Sequence, residues 1–186
     1  MACNDKQRAR SDMAVRIPIT FFAPAEREPI EVVQRQAARV SQIPMAGTFL
    51  NASLNYLLVL NRRRQIVMAS DNLLELIPGK SMDQIVGLRP GEALQCIHAD
   101  ECESGCGTSQ SCHLCGVAKV ILAGLAGTRH VQECRLTRRV SGPEASVELR
   151  VLATPLVCEN ERYTLLAVAN ISREKHPPVD SSHQSF

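Results

Sequence analysis

The chain has 186 residues, 45% of them hydrophobic but only 3% aromatic, with no tryptophan and a net charge of +2. That length suits one domain with tails, large enough to bury a core without disulfides. Nearly balanced charge excludes the basic stripe of a nucleic-acid-binding surface, and no run approaches the ~18 apolar residues that span a bilayer. The opening residues, MACNDKQRARSDMAVRIPITFF, lack the continuous apolar core and cleavage site of a secretory signal, so the expected location is cytoplasmic. In a reducing compartment, clustered cysteines are metal ligands or redox centres more often than structural disulfides.

Residues 1–27 show no sustained period and read as a flexible arm. Ile30, Val33, Ala37 and Val40 then recur at helical spacing, and Pro29 suits a helix start. An N-terminal helix is expected over 28–46, stopped by Pro44 and Gly47. Its stripe can pack on its own domain or on the same helix of a second copy. LNYLLVL, 54–60, is an apolar run of strand length, buried on both faces if it is a strand. Asn61 to Gln65 makes a polar turn with Arg62, Arg63 and Arg64 at a solvated tip, and Ile66 to Ala69 completes a hairpin. Short helices follow over Asn72 to Ile77 and Met82 to Val86, and Glu92 to Cys96 starts another.

Beyond the cysteine stretch, Val117, Val120, Ile121, Gly124 and Leu125 mark one face of a longer helix. Three strands come next. The first, from Arg129 to Val140, places Cys134, Leu136 and Val140 on one side; the second alternates Val147, Leu149, Val151 and Ala153 with polar residues. The third runs from Tyr163 to Ile171, and 174–186 reads as a disordered tail. This order predicts an α+β domain over 50–173, a five-stranded antiparallel sheet with helices on one face, plus the N-terminal helix.

The cysteines set the chemistry. Five of eight fall in CIHADECESGCGTSQSCHLC, with spacing Cys96-x5-Cys102-x3-Cys106-x5-Cys112-x2-Cys115. Cys112 and Cys115 form a close pair that can reach one metal atom, and Cys96 and Cys106 can complete a four-sulfur set for zinc or an iron–sulfur cluster. Cys102, His98 and His113 are reserve ligands. Cys3, Cys134 and Cys158 read as non-ligands. Covalent haem is excluded because Gly116, not histidine, follows Cys115. Non-covalent haem would need His130 as axial ligand, a role a strand histidine rarely fills, and six aromatics leave little to stack on a flavin. No cysteine and histidine stand at a spacing that implies a nucleophile and its base, so no enzyme is expected.

The hairpin LLVLNRRRQIVMASDNLLELI and the ending ATPLVCENERYTLLAVANISREK resemble the opening and close of a PAS domain. The close resembles the exit motif D-I-S/T-x-x-K, with Asn170 in place of Asp. The run GLRPGEALQCIHA followed by GCGTSQSCHLCG resembles a cysteine-bearing PAS subgroup at the front of bacterial histidine kinases. In that subgroup the matching cysteines are Cys96, Cys106, Cys112 and Cys115. The resemblance makes 96–115 a cysteine-rich insert in the PAS-like domain. It implies a sensor that dimerises through flanking helices and signals to another protein, such as a histidine kinase. A redox- or oxygen-responsive centre would act by shifting the helix that follows Cys115. An interaction module with structural zinc or a thiol–disulfide switch, and a small electron carrier, are the competing readings.

Overall fold

The computed structural model describes residues 20–139 and 143–175. The arm before residue 20 with Cys3, the turn at Ser141 and Gly142, and the tail from 176 lie outside the described residues. Five strands, β1 (Tyr56–Leu60), β2 (Ile66–Ala69), β3 (His130–Arg139), β4 (Glu144–Cys158) and β5 (Glu161–Asn170), form one antiparallel sheet in the order β2-β1-β5-β4-β3. This is the five-stranded antiparallel sheet of an α+β domain that the sequence predicts. Five helices around the strands were expected: α1 (Ile30–Ser41), α3 (Leu73–Leu76), α4 (Met82–Ile85), α5 (Pro90–Ala93) and α6 (Gly116–Leu125). Two were not: α2 (Ala46–Asn51), where Pro44 and Gly47 read as a stop, and α7 (Ser172–Lys175), which extends into the expected tail.

Strand alternation divides the core in two. Leu58, Leu60, Leu136, Leu149, Val151, Ala153, Leu166 and Val168 face α3 to α6 in the main cluster. Val59, Val67 and Tyr163 point the other way, against Val33 and Val40 of α1 and Leu50 of α2. The stripe of α1 thus packs in cis, on the outer face of its own sheet. Glu31 in its first turn and Arg39 in its last suit the helix dipole. On the inner face α6 lies close against β4 and β5, because a Cβ on Gly124 would come 2.6 Å from Thr164 Cγ2 and 2.9 Å from Ala153 Cβ.

Two expected boundaries move. The arm expected over 1–27 is docked at its end: Phe21 and Ala23 amides donate to Thr108 and Gly107 carbonyls, both at 2.9 Å. The tail expected from 174 starts later, since Glu174 pairs with Arg150 at 3.3 Å and Lys175 with Glu133 at 2.8 Å. Asn170 has a local role: its Oδ1 accepts from the Ser172 amide at 3.1 Å, capping the turn that makes those pairs. The arginine tip is also corrected. Only Arg62 is exposed; Arg64, at φ 66°, turns under the hairpin and donates to the Pro24 carbonyl at 2.6 Å.

Candidate functional site

Arg89 anchors the site. It is fully buried, 0% exposed, just before α5. Its guanidinium donates to Ser104 and Cys106 carbonyls in the cysteine loop at 3.0 and 3.1 Å. On the other side it donates to Ala25 and Glu26 carbonyls of the arm at 3.0 and 2.9 Å. A planar fork with five donors can serve converging carbonyls in this way; a lysine cannot. Glu92 completes the clamp: one oxygen accepts from the Arg89 amide at 2.9 Å, and the other from the Cys106 amide at 3.0 Å while pairing with Arg27.

The loop follows from these anchors. Cys96 forms an isolated bridge with Arg138, flanked by Ile97 N–H to Thr137 O and Arg139 N–H to Gln95 O, both at 3.1 Å, so the loop starts on the edge of β3. Gly105 adopts φ +80°, and a Cβ there would come 2.2 Å from Glu92 Oε1, so the turn requires glycine twice over. A 3-10 turn, Gln110–His113, carries Cys112, and Cys115 is the N-cap residue of α6.

Cys96, Cys106, Cys112 and Cys115 all line one cavity of about 40 Å³, together with Arg64, Arg89, Leu94, Ile121 and Leu136. Gly91 passes between two of the cysteines, and a Cβ there would sit 2.5 Å from Cys106 Sγ and 3.4 Å from Cys96 Cβ. Ser109 Oγ lies 3.2 Å from Cys112 Sγ. As they stand, no three His, Cys, Asp or Glu side chains among the described residues are grouped closely enough to hold a metal ion.

The reserve ligands divide. His98 lines the cavity but its Nδ1 is bonded to Glu101, and His113 is bonded to the Gln110 carbonyl. Cys102 does not line the cavity, and His130 is exposed on β3. Cys158 packs at the outer cluster, whereas Cys134 packs on the inner one.

Burial dominates the electrostatics. It pushes the Cys96 thiol up to about 11 and the Cys106 thiol up to about 12, with the neighbouring thiols adding to the shift. Cys115 moves the same way for the same first cause, partly offset by amides of Ala118 and Val117. Burial lowers Arg64 and brings Arg89 down to about 10, which leaves Arg89 charged at neutral pH. Arg64 Nε is buried without a hydrogen-bond partner. Four cysteines and two buried arginines thus line the same cavity.

Sequence reasoning missed both arginines, whose burial depends on carbonyls distant in the chain. Cys134, read from the sequence as a non-ligand, lies on the inner side with Leu136, as the alternation of β3 implies.

No protein-family model matches the chain. No curated protein matches it. Among solved structures it is similar to a PAS domain from a two-component sensor histidine kinase, at 12% identity over 70% of this chain and 96% of that one, TM-score 0.47. It is also similar to the PAS domain of nitrogen regulation protein NR(II) from Vibrio parahaemolyticus, at 18% identity over 67% of this chain and 96% of that one, TM-score 0.45. A Rhodobacter sphaeroides LOV protein matches at 13% identity over 77% of this chain and 70% of that one, TM-score 0.48.

Proposed function

We propose that this chain is a PAS-type sensory domain whose input site is the Cys96, Cys106, Cys112 and Cys115 cavity, holding a thiolate-ligated iron–sulfur cluster or zinc. The observation that carries this reading is that those four cysteines line one cavity of about 40 Å³. The donor set suits either group. Four thiolates around a divalent ion, or around a cluster of the same charge, leave two negative charges. Arg64 and Arg89, which line the same cavity, supply two positive ones. A bound centre would contribute sensitivity to oxidant or oxygen if iron–sulfur, or a fixed loop if zinc.

The chain's own residues supply the rest. The thiols must lose their protons to bind, so uptake releases acid and is favoured by rising pH. Closing four sulfurs around one centre draws the loop inward from its present spacing. Arg89 holds Cys106 and the arm with one guanidinium, so movement of the loop reaches the residues leading into α1. Cys115 starts α6, which gives a second route, onto the sheet. Two states with different contacts at both ends are what such coupling requires. The output is read by another signalling protein, a histidine kinase or other effector, with α1 as the element that reports. Self-association through α1 would use the side of that helix turned away from the sheet.

Anaerobic purification with metal analysis and absorbance spectroscopy tests the proposal. Bound iron with visible absorbance, or stoichiometric zinc without it, is expected, and Cys112→Ser with Cys115→Ser should abolish either. Colourless protein with neither metal and with every thiol titratable would refute it.

A further inference from the structure

Ser109 opens the 3-10 turn that carries Cys112, at the position where a serine ordinarily caps a helix by accepting from a backbone N–H. Here its hydroxyl makes no cap. Its Oγ lies instead 3.2 Å from Cys112 Sγ, and the pair is buried, with Ser109 1% exposed and Cys112 5%. The hydroxyl before it is spent elsewhere, since Thr108 donates to the Gly105 carbonyl at 2.6 Å. Among the described residues, Ser109 is the one hydroxyl bonded to a sulfur of the four-cysteine set. The Cys112 amide also donates to the Ser109 carbonyl at 3.1 Å, so both residues belong to one turn. A movement that draws the loop inward therefore carries oxygen and sulfur together.

We propose that Ser109 is a positioning residue: its hydroxyl donates to the Cys112 sulfur once that sulfur binds a metal, and so sets how tightly the centre is held. This role rests on the proposed function, since it needs a ligated Cys112. While Cys112 is a thiol, either group can be the donor. A metal-bound sulfur has lost its proton and can only accept, which leaves the hydroxyl as donor. Binding thus fixes the direction of a hydrogen bond that can run either way in the metal-free protein. A bond to an ionised acceptor is also the stronger kind. That gain exists only in the loaded protein, so it adds to metal affinity and not to the stability of the metal-free fold. In an iron–sulfur centre the same donor draws charge from sulfur and favours the reduced, more negative state.

The test takes the full chain, reduced and stripped of metal, titrates it with zinc against a chromophoric chelator, and separately loads it with cobalt(II). Ser109→Ala and Ser109→Gly should each bind zinc about tenfold more weakly than wild type, the low end for groups that support a ligand. Their sulfur-to-cobalt charge-transfer band should move to longer wavelength, because a sulfur without its donor gives up electrons more easily. Ser109→Thr keeps the hydroxyl and should restore both. Urea midpoints of the metal-free variants should stay near wild type, since the hydroxyl caps nothing. Where the loaded centre is an iron–sulfur cluster, Ser109→Ala should lower its midpoint potential by about 59 mV, which is tenfold for one electron. Wild-type affinity with an unmoved band, or an unmoved potential, would overturn the role of Ser109 and leave the proposed function standing. Weaker binding with an unmoved band would overturn it too, as the mark of a packing defect. Wild type that takes up neither metal, and no cluster on anaerobic reconstitution, would sink the proposed function and the role of Ser109 with it. Two variants without the hydroxyl keep the test standing if one of them folds poorly.

Discussion

The two faces of the sheet are built on different principles. Outside, α1 sets Val33 and Val40 against Val59, Val67 and Tyr163 of β1, β2 and β5, with Gln36 and Asn61 buried beside them. Asn61 Nδ2 donates to Gln36 Oε1 at 2.9 Å, and Gln36 Nε2 donates in turn to Glu161 at 3.1 Å. Inside, next to an ordinary apolar cluster, the chain buries a whole guanidinium and a second arginine beside four buried or half-buried thiols. Burying such groups costs stability unless each is paired. The outer face is mainly apolar packing; the inner face also carries buried charge and thiols.

Removing the buried guanidinium should separate the faces most sharply. Arg89→Ala leaves carbonyls in the arm and the loop without their donor and is expected to cost about 3–5 kcal/mol. Amides of 21–23 and 104–108 should exchange faster and the loop thiols should react faster, while α1 keeps its protection. Loss of α1 protection at the same rate would mean that the two faces melt as one. Val33→Ala probes the reverse. It should lower stability by roughly 2 kcal/mol for the methyl groups lost, with thiol reactivity in the folded protein unchanged. Exposed cysteines in that variant would break the distinction.

Titration gives the smallest effect. Tyr163 donates a hydrogen bond to Glu161 at 2.9 Å and holds that carboxyl below its ordinary value. Its contribution is present above the ordinary carboxylate range and is lost as pH falls through the lowered value. The Cys96 thiol, raised from 9.0 to about 11, contributes below pH 9.0 and loses that contribution as pH rises through about 11. Acid should therefore loosen the outer face and alkali the inner one. Urea midpoints of metal-free protein across pH should fall at both ends, less at the acid end in Glu161→Gln and less at the alkaline end in Cys96→Ser.

What was legible in the sequence follows the same division. Periodicity locates α1, β2, α6 and the inward residues of β4, because alternation and helical spacing are local consequences of burying one face. The four cysteines were readable as a set from spacing and resemblance. Arg64 and Arg89 were not. Each reads as a surface residue until the chain brings carbonyls from 24–26 and 104–106 around it, and no window around position 64 or 89 contains those partners. Cys134 lay between these cases: its inward side was readable, but its approach to Gly116 at the start of α6 depends on how the helix crosses the sheet. The helix α2 escaped because Pro44 and Gly47 are stop signals for a preceding helix and say nothing about a new one starting at Ala46.

Arg89 also bears on the order in which the chain can finish folding. It gathers carbonyls of residues 24–26, near the amino end, with those of 104 and 106. Domains are made from the amino end, and contacts distant in sequence form at the cost of closing long loops. The first described segment of the chain is synthesised early, but the clamp that fixes it is complete only once Cys106 has emerged. Residues 24–26 are thus fixed late, in the same step that shapes the cysteine loop.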